Sequence, residues 1–278
     1  MEQIVSASRK KIFEIVCNNK AGHLASSLSS VEILTVLYFG NILRYRAQDA
    51  EWEDRDRFIL SKGHSALGYY ITLAFAGFFN IDEVKSFCIA GTNFGGLPLK
   101  NKVKGVEAST GSLGHGLSFA AGVAINAKIY NKQYLTYVLI GDGEAQEGSI
   151  WEAALFISQN NLTNLVTIVD YNRLQATGRC EDIISLESFR DKWESFGFEV
   201  IEVDGHNISE IKTALTIRDI KLKKPRTVIA HTVKGKGLSF VENQPDWHYK
   251  MPSKDQILNG IKELGMEQGV VHIMRDSC

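Results

Sequence analysis

Four short runs rich in β-branched residues, spaced by helical stretches, set the tightest limit on how this chain of 278 residues folds. They are YLTYVLIGD (134–142), NLVTIVDYN (164–172), FEVIEVDG (198–205) and PRTVIAHTV (225–233). Helical patterns near 147–161 and 186–196 separate the first three, and another near 208–222 precedes the fourth. Strands alternating with helices build βαβ units, so the expected class is α/β: a mainly parallel sheet with helices on both faces and right-handed crossovers. Upstream, Ile4, Ile12, Ile15 and Val16 form the apolar stripe of a helix over 4–17. A second helix is expected over 30–39, with NNKAGHLASSLSS around it read as a loop. A third follows SKGHSALG through Tyr70 and Phe75. The stretch IAGTNFGGLPLKNKVKG is too rich in glycine for a long regular element. GSLGHGLSFAAGVAINAKIYN reads as a loop entering a helix of small side chains, which permit close approach to another backbone. Residues 253–278 read as a terminal helix and tail, which leaves 1–252 as one large domain.

Composition excludes several roles. A formal net charge of −1 gives no electrostatic support for nucleic-acid or membrane-surface binding. The N-terminal MEQIVSASRKKIFEIV spreads its charges along an amphipathic helix and lacks a secretory apolar core. No apolar run reaches the length of a membrane span. Cys17, Cys88, Cys180 and Cys278 lie far apart, which favours reduced thiols in a cytoplasmic protein over a disulfide framework or zinc site.

Ligands of open parallel sheets bind at the carboxyl ends of strands. Two expected strand ends carry oxygen ligands: Gly141-Asp142-Gly143 after the first run, and Asp170-Tyr171-Asn172 after the second. One loop, one helix and one adjacent strand fit between Asp142 and Asn172, so a βαβ unit can set carboxylate and amide oxygen side by side. With a nearby backbone carbonyl, such a set suits a hard cation that keeps its remaining positions for phosphate oxygens and water. Gly141 and Gly143 are expected to let the chain turn tightly and a cofactor come close.

G-D-G followed by Asn at this spacing is the thiamine diphosphate motif, and the chain from about residue 20 to residue 250 resembles the transketolase family. Five segments stand in the family's order: GHLASSLSSVEIL, SKGHSALGYY, GVEASTGSLGHGLSFAAGVA, GDGEAQEGSIWEA and HTVKGKGLSFVENQPDWHYKMP. The resemblance implies a thiamine diphosphate-binding domain over 1–252, with Asp142, Asn172 and the Leu174 carbonyl ligating magnesium or calcium. It implies that His64 and His248 contact the diphosphate, and that His23 faces the substrate as a hydrogen-bond donor or proton shuttle. It places Gly111, Leu113 and Gly114 as the backbone surface for the aminopyrimidine end, with plain helix packing as the alternative. Glu147 is the family's link to the interface between chains, or a helix N-terminal acid favoured by the macrodipole. Glu152 is a weaker candidate, His115 is not assigned a catalytic role, and Asp204-Gly205-His206 is read as a structural turn.

In this family the glutamate that activates the aminopyrimidine sits on a separate pyrimidine-binding domain, which is not among these segments. The GSLGHG form and the length resemble the N-terminal subunit of a split transketolase. The expected function is transfer of a two-carbon ketol unit from a ketose to an aldose, the partner being a C-terminal transketolase subunit in an α2β2 assembly. The alternatives are a thiamine-dependent acyl transferase or decarboxylase acting on a 2-oxo acid, and a catalytically silent binding subunit. One departure bears on substrate. Where transketolases carry Gly-His-Pro, this chain has Gly96-Leu97-Pro98, an apolar side chain in place of a hydrogen-bond donor.

Overall fold

The computed structural model describes residues 1–218, 220–267 and 269–271. The chain opens with helices α1 (Glu2–Asn19), α2 (Leu24–Ser29) and α3 (Val31–Phe39), then strand β1 (Arg57–Leu60) and α4 (Ala66–Phe75). After a long irregular stretch come α5 (Gly116–Ile129), β2 (Thr136–Gly141), α6 (Gly148–Gln159) and β3 (Leu165–Tyr171). The last part holds α7 (Cys180–Ile183), α8 (Phe189–Ser195), β4 (Glu199–Asp204), α9 (Ile208–Leu215), β5 (Arg226–His231) and α10 (Lys254–Glu263). The strands form one parallel sheet in the order β1-β2-β3-β5-β4.

Side chains alternate across a strand, and here the alternation divides two cores. Tyr137 and Leu139 of β2, with Val166 and Ile168 of β3, pack under α1, α3, α4 and α9. Val138 and Ile140, with Leu165 and Val169, face α5, α6 and α8 on the opposite side. Helices therefore cover both faces, as expected. The register puts Gly141 opposite Asp170, and Tyr171 and Asp204 each opposite His231, so the carboxyl ends of the inner strands form one edge.

Several expectations are corrected. Part of the segment read as a loop around residue 25 is helix α2, because Leu24, Ala25 and Leu28 are fully buried and tertiary packing outweighs the poor propensity of its serines. Strand β1, RFIL, is not among the four expected runs; it is four residues long and shows no alternation to read. The helix expected over 208–222 stops at Leu215, where Thr216 turns extended and Ile217 is buried. In the terminal segment α10 is present, its N-terminus closed by a Ser253–Gln256 capping box. The rest of the expected tail, including Cys278, lies largely outside the described residues. Cys17, Cys88 and Cys180 are free thiols.

Candidate active site

Adjacent strand ends carry Asp142 and Asn172 to one cavity of about 510 Å³, which Leu174 also lines. Asp142 is only 4 % exposed. It accepts from the Gly143 amide at 2.8 Å and from the Arg173 amide. No side-chain cation is hydrogen-bonded to it among the described residues, and burial together with the neighbouring Asp170 charge raises its carboxyl to about 7. A buried carboxylate held by two amides but lacking a cation is what a divalent ion would relieve, so the donor set fits one. The Asn172 amide oxygen accepts from the Leu174 amide at 3.1 Å. The Leu174 carbonyl accepts from Lys234 at 3.3 Å. Among the described residues no group of three or more His, Cys, Asp and Glu is placed to hold a metal; the candidate set offers one carboxylate, one amide and one carbonyl. Neither Gly141 nor Gly143 adopts a positive φ, so the expected tight turn is not why glycine stands there. A Cβ on Gly141 would meet nothing nearer than 3.9 Å, and the open space above the strand end permits close approach of a ligand.

Three histidines converge on the same cavity. The His23 ring lies 5.8 Å from that of His64 and 5.2 Å from that of His248, and His64 and His248 are 5.4 Å apart. Burial, then the charges of Lys234 and Lys62, lower the pKa of His23. Burial and Lys62 push His64 well below its ordinary value, and burial with Lys234 brings His248 down to about 4. All three are neutral at pH 7, so each offers one N–H donor. His23 Nδ1 is buried and has no hydrogen-bond partner among the described residues, an orphaned polar atom that a polar ligand would satisfy.

Two lysines join the cavity beyond the residues expected from the sequence. Lys62 is 1 % exposed and forms an ion pair with Asp170. Lys234 is equally buried; it donates to the Gln175 carbonyl at 3.1 Å and lies 3.4 Å from His248 Nδ1. Burial and the Lys62 charge lower Lys234 to about 8. Buried lysines are rare without an anionic partner. Their only sign in the sequence is that they stand within SKGH and HTVKGKG, two of the family segments. Two ammonium groups above one uncompensated strand-end carboxylate suit a polyanion bridged by a cation. Tyr249, also missed, is exposed at the cavity mouth, 4.9 Å from the His23 ring and 4.6 Å from the His248 ring.

Gly111 and Leu113 line the cavity, and Gly114 lies beside them. Gly111 has φ 140° and Gly114 φ 86°, conformations that favour glycine. A Cβ on Gly111 would stand 2.5 Å from the Leu97 side chain, and one on Gly114 2.8 Å from Glu147. Glu144, buried beneath, accepts from the Gly114 amide at 2.9 Å, from the Gly141 amide at 3.1 Å and from Ser61. That carboxylate ties the glycine loop to the end of β2, a positioning role with no separate sign in the sequence. Glu147 is the exposed N-cap residue of α6 at the cavity rim. His115 points outward at the start of α5, its Nδ1 3.1 Å from the Leu113 carbonyl. His206 accepts from the Val233 amide at 2.8 Å and lies 3.2 Å from Glu32, which Arg9 also holds, so that turn is structural.

Comparison with known proteins accounts for this arrangement. Residues 1–277 match the family described as transketolase, thiamine diphosphate binding domain. One of the two named subunits of the apulose-4-phosphate transketolase of Phocaeicola vulgatus is 42 % identical over 257 residues, covering 92 % of this chain and 91 % of that protein. The 6-deoxy-6-sulfo-D-fructose transketolase subunit SqwG of a Clostridium species is 36 % identical, covering 93 % and 94 %. Transketolase from Leishmania mexicana superposes with a TM-score of 0.88 at 28 % identity, over 99 % of this chain but 42 % of that one. The chain therefore belongs to the transketolase family, as its thiamine diphosphate-binding domain.

Proposed function

We propose that the chain is the cofactor-holding subunit of a two-component transketolase, which moves a two-carbon ketol unit between sugars and requires a partner carrying the pyrimidine-binding domain. The observation that carries this reading is the buried, uncompensated Asp142 beside Asn172 at neighbouring strand ends, in one cavity with three neutral histidines and two lysines. Relatives named as transketolase subunits favour ketol transfer over chemistry on a 2-oxo acid. The cation is magnesium or calcium, the assembly α2β2 and the location cytoplasmic. Residues 1–252 carry the site, and 253–278 are an appendage to it.

Thiamine diphosphate, when bound, supplies the electron sink for breaking and making the carbon–carbon bond. The chain's own residues bind and orient. Asp142, Asn172 and the Leu174 carbonyl hold the cation that neutralises the diphosphate. His64, His248 and the lysines surround the diphosphate with donors. Gly111, Leu113 and Gly114 receive the aminopyrimidine end through backbone groups. His23, with its free Nδ1, donates to or exchanges a proton with the substrate at its reactive end.

The test is calorimetry with thiamine diphosphate and magnesium on the chain together with its partner. Asp142→Ala is expected to abolish metal-dependent cofactor binding, because the diphosphate loses its neutralising ion. Unchanged affinity in that variant would sink the assignment.

A further inference from the structure

The cation site rests on a second carboxylate that faces away from it. Asp170, near the end of β3 and two residues before Asn172, is completely buried. One of its oxygens accepts from Ser29 Oγ of α2 at 2.6 Å and from the Lys62 ammonium. The other accepts from Thr232, which follows β5, and from the Asn172 side-chain amide at 3.2 Å. Burial alone raises its pKa, but the Lys62 charge and the hydrogen bonds from Lys62, Ser29 and Thr232 outweigh it and hold Asp170 at about 2. It is therefore an ion, able to accept and unable to donate.

That one-sidedness matters to Asn172. The two ends of an amide have nearly the same shape, and the neighbouring groups decide which end points where. Only the oxygen ligates a hard cation; the NH2 end repels it. An ionised Asp170 captures the NH2 end and leaves Oδ1 on the other side, where it accepts from the Leu174 amide. A neutral acceptor-and-donor group at 170 would hold either end.

We propose that Asp170 is a positioning residue, which locks the Asn172 amide with its oxygen presented to the cation. The proposal rests on the reading that Asp142 and Asn172 hold the ion. It also assigns the Lys62–Asp170 pair a purpose beyond stability, since Lys62 supplies the compensating charge. Partners that orient metal ligands in this way are commonly worth about 10–100-fold in metal affinity.

The experiment measures Mn²⁺ binding directly, by calorimetry and by the paramagnetic signal of the bound ion, on the complex of both chains with thiamine diphosphate. Asn172→Asp alone supplies an anionic ligand, stronger for a hard cation, but sets two carboxylates against each other. If Asp170 orients position 172, this variant loses about 10–100-fold in Mn²⁺ affinity. Adding Asp170→Asn then reverses donor and acceptor, and the doubly substituted complex regains most of the loss. Equal or tighter binding by Asn172→Asp, or a folded double variant that regains nothing, overturns the proposal. Should the double variant not fold, Asn172→Asp decides by itself. Asp142→Ala distinguishes failure of the positioning role from failure of the cation reading. If it abolishes Mn²⁺ binding while the 170–172 series shows no loss and rescue, only the positioning role fails. If it leaves binding intact, the cation reading fails first.

Discussion

Asp142 and Asp170 end neighbouring strands, yet one is held at about 2 and the other raised to about 7. The difference is Lys62, paired with Asp170 and not with Asp142. The histidines above them carry a second consequence. In the unfolded chain an imidazole gains its proton near 6.5, whereas folded His248 does so only near 4. Between those values the unfolded state binds more protons, so this group makes stability fall as pH drops through the window and contributes nothing above it. His23 and His64 act in the same sense. Asp142 acts oppositely between 3.8 and about 7, one group against three. The unfolding midpoint is therefore expected to drop from pH 7 to pH 4.5. The drop should be smaller in His248→Gln, a difference in which the Asp142 contribution cancels. Scans of both proteins check this; parallel curves would refute it. Leu97 bears on substrate. Its side chain is 42 % exposed, lies against Gly111 and lines the cavity, where a histidine would offer a donor. A hydroxyl left facing an apolar wall costs about 1–3 kcal/mol, or roughly tenfold to hundredfold in rate. The assembled enzyme is expected to prefer a sugar presenting less hydroxyl, or an added apolar group, to Leu97. Comparison with xylulose 5-phosphate plus ribose 5-phosphate tests this. Equal turnover, with no change in Leu97→His, would count against it.

At the scale of elements, the four β-branched runs are legible because inner parallel strands are apolar on both faces, and such runs stand out from helical patterns. Strand β1 is not, since it is short and runs straight into the Ser61-Lys62-Gly63-His64 turn. Helix α2 is hidden by its serines, which become helical only once Leu24 and Leu28 are buried. Within the site, Asp142, Asn172 and the histidines are legible through their motif spacing. Lys62, Glu144 and Asp170 are not, because their roles arise from contacts across elements: Lys62 to Asp170, Glu144 to Gly114, Asp170 to Ser29 and Thr232. The edge of the sheet opposite the cavity offers a contrasting test. Asp56, just before β1, accepts from the amides of Arg44 and Leu135 at 2.7 Å each and pairs with Arg218. Asp56→Ala strands both amides and is expected to cost about 2–4 kcal/mol. Urea unfolding would show the loss, while cofactor affinity of the folded complex stays unchanged, since Asp56 lies at the far ends of the strands. A fall in affinity without a fall in stability would contradict this division.

For the whole molecule, what matters is how much of the active centre one chain holds. The diphosphate end is well supplied, with a cation site, three histidines and two lysines facing one cavity. The chain spans 42 % of the Leishmania transketolase it superposes on, whereas it covers 91 % of its relative from Phocaeicola vulgatus. The packed pair α5 and α6 begins beside the cavity and leaves large apolar side chains outside: Phe119 is 45 % exposed, Leu155 60 % and Phe156 45 %. Gly122 on the same outer side of α5 has nothing within 4 Å of where a Cβ would stand, so another backbone has room to approach. Glu147, at the cavity rim and the start of α6, is exposed and shows no hydrogen bond from its side chain to the helix it caps. An acid at the rim, small residues and exposed aromatic side chains together describe a surface made to be covered, and the cofactor would then lie at the seam between unlike chains. The isolated chain is accordingly expected to show no ketol transfer. Mixing it with the partner should restore turnover. Phe119→Asp, which sets a charge on the outer face of α5 while leaving the buried Leu117, Ala120 and Ala121 in place, is expected to weaken that pairing by about tenfold or more, because burying an unpaired charge costs several kcal/mol or keeps the surfaces apart. Sedimentation of the mixture measures the pairing, and thermal unfolding of the lone chain confirms that the variant still folds. Robust turnover by the isolated wild-type chain would show that the seam lies elsewhere.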